Sequence, residues 1–128
     1  MDVLALFAEE DDTPKPKLPA NVATDLDAFG EALKLFLHPG MLNARTSVYL
    51  AEKLGMPQER SGASTRQMIQ RLIVERDCPI GSCRDGYFFI NNAYELEAVE
   101  KELQGLIRST KARIQGLRRG WATRKRWV

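Results

Sequence analysis

The cysteine and histidine side chains are the first candidates for chemistry, because they can bind a metal ion or act in nucleophilic catalysis. The chain has two cysteines, Cys78 and Cys83, and one histidine, His38. The cysteines lie five positions apart, which is not a CxxC spacing, and no second pair or nearby histidine completes a metal site. His38 precedes a proline, as a solvated loop residue does, and no nucleophile motif accompanies it. The sequence therefore predicts two reduced thiols, no metal, no cofactor and no catalytic residue.

A second chemical feature is the uneven distribution of charge between the two ends of the chain. The net charge is only +2, but residues 1–12 contain five acidic side chains and no basic one, whereas residues 104–128 contain eight basic side chains and no acidic one. Such asymmetry favours a nucleic acid or an acidic partner, and it also allows the two ends to attract each other. The acidic N-terminal tail or the basic C-terminal tail could equally dock a protein partner.

The basic end also contains two tryptophans, Trp121 and Trp127. Aromatic side chains among basic ones suit single-stranded nucleic acid, through base stacking and phosphate contacts. The same mixture suits an anionic membrane surface, and one tryptophan could instead fold back on the domain. The sequence leaves these three interpretations open.

Length and composition predict one globular domain with tails. The chain has 128 residues, of which 44% are hydrophobic and 28% charged, in the ordinary globular range. No apolar run approaches the length of a membrane span, and the start MDVLALFAEEDD lacks the basic residues of a secretory signal, so we expect a cytoplasmic protein. Residues 1–21 are predicted to form a disordered or extended acidic tail and linker, in which VLALF is a short docking motif or merely an apolar end.

Four amphipathic helices are predicted from apolar residues that recur every three or four positions. The first covers about residues 24–37, the second begins at Thr46 and ends at Gly55, and the third begins at Ser64 or Thr65. The fourth is long and covers about residues 94–118. The residues predicted to face inward from the third helix are Ile69, Leu72 and Ile73, with Met68 beside them.

A β-hairpin is predicted between the third and fourth helices. Its short β-rich runs, Ile80–Ser82 and Tyr87–Ile90, are joined by a segment that ends in Asp85-Gly86, and Asp-Gly between such runs is typical of a hairpin turn. The helix that follows is longer than one small core needs. It could leave its second half in solvent, or its apolar stripe could pair with a second copy of the chain. The residues predicted for such dimerisation are Leu96, Val99, Leu103, Leu106, Ile107 and Ile114.

The stretch TSVYLAEKLGM…STRQMIQRLIVERDCPIGSCRDGYFFI, together with the order of elements, resembles the winged helix-turn-helix DNA-binding family. It is most similar to the biotin-repressor type and to small phage or prophage versions, which share an LAEKLG-like helix and a Gly-Tyr-Phe start to the second wing strand. The resemblance covers about residues 24–92. It implies a mainly α fold with a small β-hairpin: a winged helix-turn-helix domain over residues 22–92, a long helix over 93–119 and a basic aromatic tail over 120–128. The segment MPQERSGAS departs from the pattern, because it is longer than the usual turn of the motif.

The resemblance also implies which residues contact double-stranded DNA. In such modules a recognition helix enters the major groove, where arginine suits guanine edges and glutamine suits adenine edges. The start of the preceding helix lies near phosphate, and the tip of the wing reaches a flanking phosphate or the minor groove. The positions that match are Thr46 and Ser47 at the preceding helix, Ser64, Thr65, Arg66, Gln67, Gln70 and Arg71 at the recognition helix, and Arg84 at the wing tip.

Two hypotheses about function follow from the resemblance. The first is a sequence-specific duplex-DNA-binding protein, a dimeric transcription regulator of phage type that reads bases with its third helix. The second is a non-enzymatic adaptor in a DNA replication or processing complex, which uses the winged helix to hold DNA or a protein without strict sequence choice. Binding to random and to selected duplexes across a salt series distinguishes the two.

Overall fold

The computed structural model describes residues 17–127, so residues 1–16 of the predicted tail and linker over 1–21, including VLALF, lie outside the described residues. The described part is mainly helical, with one small antiparallel hairpin and a long C-terminal helix, as predicted. It divides into two compact units. The first unit combines the chain up to Phe36 with Ser47–Arg76, and the second combines Leu37–Thr46 with the chain from Asp77 onward.

Three helices build the first unit. They are α1 (Leu26–Leu33), α2 (Ser47–Leu54) and α3 (Ala63–Arg76). Asp25 precedes α1 and caps it: the side-chain Oδ1 accepts hydrogen bonds from the backbone N–H groups of Asp27 (2.9 Å) and Ala28 (3.2 Å). Helix α1 ends at Leu33, before the predicted residue 37. The backbone after Leu33 forms turns in which amides donate to the carbonyl three residues earlier, instead of four as in an α-helix.

The core of the first unit lies among these three helices, each of which contacts the other two. Each helix turns one side inward, as the apolar periodicity predicts. Burying such side chains is the main stabilising contribution, at about 25 cal/mol per Å² of apolar surface. The side chains that are at least 98% buried are Phe29, Ala32, Leu33, Leu50, Ala51, Leu54, Thr65 and Ile69.

The connection between α2 and α3 is long, but it is anchored. Helix α2 ends at Gly55 with a φ of 67°, as predicted, and the next residue, Met56, is only 3% exposed. At the far end of the connection, the Ser47 hydroxyl donates a hydrogen bond to the Ser61 carbonyl (3.3 Å). The extra residues of MPQERSGAS therefore form a connection fixed by a buried methionine and by the start of α2.

The second unit contains the hairpin, formed by β1 (Ile80–Cys83) and β2 (Gly86–Phe89). The strands are antiparallel, with Ile80 opposite Phe89 and Cys83 opposite Gly86, so a two-residue turn joins them. The sequence predicted this hairpin, but it did not predict that residues 38–45 pair with β2. Arg45 and Tyr87 exchange both backbone hydrogen bonds, at 2.8 and 2.7 Å, and the Phe89 amide donates to the carbonyl of His38.

Gly86 is required by this pairing. Its φ is 124°, which residues with a side chain rarely adopt, and a Cβ at this position would collide with the backbone carbonyl of Arg45. The glycine of the predicted Asp-Gly turn therefore permits both the turn and the close approach of residues 38–45.

The long helix α4 (Ala93–Ala122) completes the second unit and spans roughly 45 Å at 1.5 Å per residue. It is capped by Asn92, whose side chain accepts a hydrogen bond from the Glu95 amide (2.9 Å). The Glu95 carboxylate in turn accepts from the amides of Met41 (2.7 Å) and Asn91 (2.8 Å). The helix continues past the predicted residue 119 to Ala122, so the first part of the predicted basic tail is helical, and a 3₁₀ turn over Arg124–Arg126 follows.

The hairpin packs on α4 within the second unit. A Cβ added to Gly81 would lie 2.8 Å from Cγ2 of Val99 and 2.8 Å from Cζ of Phe88, so strand and helix approach as closely as a glycine allows. Phe88 itself is fully buried. These contacts fix the first turns of α4, and of its thirty residues only Glu95 is buried.

Candidate nucleic-acid interface

Helix α3, the predicted recognition helix, has a buried side and an exposed side. Thr65, Met68, Ile69 and Leu72 are buried at three- and four-residue spacing. The predictions for Ile69 and Leu72 are confirmed, and Met68 is part of the buried side rather than beside it. The prediction for Ile73 is wrong: its side chain is 39% exposed, because the buried stripe is centred on Met68 and Ile69 and leaves Ile73 at its edge.

Thr65 cannot be a DNA contact in this arrangement, which corrects the prediction from the sequence. The helix begins at Ala63, before either predicted cap (Ser64 or Thr65), so Thr65 is in its first turn and faces the core with 0% exposure. Its Oγ1 is buried and has no hydrogen-bond partner among the described residues. Thr65 is therefore a packing residue whose hydroxyl is buried at a cost.

The exposed side of α3 carries four of the predicted contacts together: Arg66, Gln67, Gln70 and Arg71. At about 100° per residue they cover one continuous sector of the helix. Val74, 79% exposed, lies in the same sector and was not among the predicted contacts. Its position one turn after Gln70 and Arg71 is visible in the sequence, and helical periodicity alone would have placed it on the exposed side.

Two of the three arginines of α3 that follow Thr65 form ion pairs with acidic side chains. Arg71 Nε lies 2.7 Å from Glu75 Oε2, and this hydrogen bond is the main reason that the pKa of Glu75 is lowered and the pKa of Arg71 is raised. Arg76 Nε lies 2.9 Å from Asp27 Oδ1 and links the end of α3 to the start of α1. Arg66 forms no ion pair with another described residue, so it is the arginine of this face whose guanidinium is most available to a ligand.

The other predicted contacts are distributed over both units. In the first unit, Ser47 is the first residue of α2, and the Ser64 hydroxyl donates to the Glu59 carboxylate. In the second unit, Thr46 is exposed just before α2, and Arg84 is exposed in the two-residue turn of the hairpin. Arg84 thus occupies the tip of a hairpin, as predicted, and its contact with DNA stays a prediction.

The predicted dimerisation residues lie on an exposed apolar stripe of α4. The structure adds Trp121, and also Leu117, which the apolar spacing of the helix included but the predicted dimerisation set did not. It removes Val99, which is half-buried against the hairpin at Gly81. The apolar stripe is defined here as Leu96 (45% exposed), Leu103 (53%), Leu106 (59%), Ile107 (55%), Ile114 (44%), Leu117 (73%) and Trp121 (69%).

The described residues offer little for other kinds of site. Over residues 17–127, no three histidine, cysteine or acidic side chains converge in a way that could hold a metal ion. Cys78 and Cys83 are not joined in a disulfide. Within the same range no helix combines the length and apolarity that crossing a bilayer requires.

Comparison with known proteins gives no family. No protein-family model, no curated protein and no solved structure matches this chain.

Proposed function

We propose that this chain is a sequence-specific duplex-DNA-binding protein of the winged helix-turn-helix type, and that it acts as a dimeric regulator of transcription. The observation that carries the proposal is the exposed face of α3, on which Arg66, Gln67, Gln70 and Arg71 stand together above a buried apolar side. A helix held in this way can enter a major groove without rearranging the core that supports it.

The side chains on this face have the chemistry of base recognition. Arginine donates two hydrogen bonds to the O6 and N7 atoms of guanine, and glutamine pairs with the N6 and N7 atoms of adenine. Arg66 and Gln70 are one turn apart and address successive positions along a groove. Val74 extends the face by another turn and offers an apolar contact for a thymine methyl group.

Phosphate contacts would come from groups outside α3. The amides at the start of α2, at Ser47, suit a phosphate, and Arg84 at the hairpin tip suits a flanking phosphate or a narrow minor groove. Such contacts set orientation and salt dependence but carry no sequence information. A dimer formed through the apolar stripe would present two copies of α3 to two half-sites.

Selection of bound duplexes from a random pool tests the proposal. We expect a motif to be enriched, and Arg66→Ala to cost roughly 1–3 kcal/mol of affinity for that motif and to relax specificity at one position. Arg76→Ala is the matched control: it removes the same charge from the same helix, but its guanidinium is directed at Asp27. Equal effects of the two variants, or no enriched motif, would contradict sequence-specific recognition by α3.

A second function, an adaptor that docks a protein, is favoured by the apolar and acidic side chains beside the same face. Val74 is 79% exposed, Ile73 is 39% exposed, and Glu75 neutralises part of the charge of Arg71. An adaptor that holds DNA through charge alone would bind random and selected duplexes equally, with a steep dependence on salt. That result, with no enriched motif, would favour the adaptor.

A further inference from the structure

Helix α4 separates its charges along its length. Its first three turns carry four acidic residues and one lysine, and from Gly105 onward every charged residue is basic. All of these side chains except the buried Glu95 are exposed. The acidic residues are Glu95, Glu97, Glu100 and Glu102, and the basic residues within the helix after Gly105 are Arg108, Lys111, Arg113, Arg118 and Arg119.

Four of the seven residues of the apolar stripe exchange places in pairs when the direction of the helix is reversed, and the other three do not. With about 100° per residue, Leu96, Leu103, Ile107, Ile114 and Trp121 lie within about 20° of one line along α4. The midpoint between Leu96 and Trp121 falls between residues 108 and 109, and so does the midpoint between Leu103 and Ile114. A second copy of α4 that runs in the opposite direction therefore places Leu96 against Trp121 and Leu103 against Ile114.

The charged residues at the edges of the apolar stripe have the same symmetry. Glu100 and Arg118 lie on the same edge, each about 40° from Leu96, and Glu102 and Arg113 lie on the opposite edge. Their midpoints fall within one residue of the midpoint of the stripe. Reversal of the second copy thus brings Glu100 beside Arg118 of that copy and Glu102 beside its Arg113, and each pair occurs twice.

A parallel arrangement has the opposite electrostatics. Two α4 helices in parallel register would set the basic half of one against the basic half of the other, and acid against acid. Like charges at such positions are destabilising, and opposite charges are stabilising by a similar amount. The hairpin already covers Val99 on one side of α4, and the apolar stripe beside it stays open to a partner.

We propose that α4 pairs with α4 of a second copy of this chain in antiparallel orientation, centred near Arg108 and Ser109. Because one sequence supplies both the acidic and the basic half, a second copy satisfies both charges and the reversed apolar spacing at once. The inference gives the orientation of the dimer in the proposed function. It does not depend on DNA binding, and its tests are made without DNA.

Cysteine cross-linking in the full chain tests the orientation. In a background with Cys78→Ser and Cys83→Ser, we expect a mixture of Leu103→Cys and Ile114→Cys chains to form a disulfide-linked dimer. Neither variant alone should do so. Both positions are about half exposed, so the fold of the monomer tolerates the change. Self-linking of Leu103→Cys would show a parallel pair and overturn the proposal, as would a native mass of one chain or of more than two.

Charge reversal gives an independent test by sedimentation. We expect Glu100→Arg or Arg118→Glu each to raise the dissociation constant of the dimer about tenfold, because each change turns two attractive pairs into two repulsive ones. An equal mixture of the two variants should recover wild-type affinity, since every pair is again opposite in sign. Glu97→Arg is the control: it makes the same change about 80° around the helix from Ile107, the nearest residue of the apolar stripe, whereas Glu100 lies only about 20° from Ile107. The control should change the constant less than about twofold. If Glu97→Arg matched Glu100→Arg, or if the mixture did not recover, the antiparallel pair would be excluded.

Discussion

Helices α3 and α4 differ in how much of their surface is buried by the rest of the chain. Helix α3 has fourteen residues, and four of them are buried at regular spacing. Helix α4 has thirty residues and buries only Glu95. The chain thus buries one side of α3 over most of its length, whereas it covers α4 only near the hairpin. An exposed polar face on the first helix and an exposed apolar face on the second indicate two different kinds of partner.

The largest difference between the two helices is expected in the free energy of unfolding when an isoleucine of each is replaced by alanine. Ile69→Ala, at a fully buried position of α3, should lower the free energy of unfolding by about 2–5 kcal/mol through lost burial and an added cavity. Ile114→Ala, at a position of α4 that is 44% exposed, should lower it by less than about 1 kcal/mol in dilute solution. Denaturant unfolding at low protein concentration measures both. Equal losses would mean that α4 has an apolar environment within its own chain.

Glu95 is expected to give the next largest effect, because it is the one buried side chain of α4. Its carboxylate accepts from two backbone amides, and Glu95→Ala leaves both without that partner. We expect a loss of about 2 kcal/mol and faster hydrogen exchange at the amides of Met41 and Asn91. Glu97→Ala, two residues later on the exposed side, serves as the control and should leave both exchange rates unchanged. Unchanged exchange in Glu95→Ala would show that the start of α4 is fixed by the hairpin alone.

Thr65 should give a smaller effect, and of opposite sign. Thr65→Val keeps the shape of the side chain and removes a buried hydroxyl that has no hydrogen-bond partner among the described residues. We expect the free energy of unfolding to rise by about 1 kcal/mol. Thr65→Ser, which keeps the hydroxyl and removes a methyl group, should lower it. A loss of stability in Thr65→Val would mean that a water or another group satisfies this hydroxyl.

The smallest effect concerns the pKa of Glu75. Arg71 lowers this pKa in the folded protein, so the pair contributes stability at neutral pH, and the contribution is lost as the pH falls through the lowered value. An NMR titration should give Glu75 a midpoint below the ordinary value of a glutamate. Arg71→Gln should raise the Glu75 midpoint to the ordinary range. Because DNA that binds Arg71 competes with Glu75, Glu75→Gln should also strengthen DNA binding.

The sequence predicted the elements whose causes are local. The Asp-Gly turn identified the hairpin, Gly55 identified the end of α2, and the apolar spacing identified α3 and α4. What the sequence did not predict has a physical cause as well. The pairing of residues 38–45 with β2 could not be predicted, because it consists of isolated bridges between segments distant in the chain and has no local pattern.

The candidate contacts were predicted less well than the helix that carries them. The pair Ser64-Thr65 resembles a cap in the sequence, but the helix already begins at Ala63, so Thr65 is turned into the core. Val99 fits the periodicity of the apolar stripe, yet it packs on the hairpin because Gly81 leaves room for it. Periodicity identifies the face of a helix; only the neighbouring elements decide how much of that face is covered.

Glu95 also sets the rotational phase of α4. Its carboxylate accepts hydrogen bonds from the amides of Met41 and Asn91, and these bonds fix the rotation of α4 about its own axis. The direction in which every later side chain points therefore depends on its distance in sequence from Glu95. One alanine inserted after Glu95 would turn the whole downstream helix by about 100° against the hairpin, and a complete heptad would return it almost to its original setting. A ladder of one-to-seven-residue insertions would therefore make any activity that depends on the apolar stripe rise and fall with the pitch of the helix.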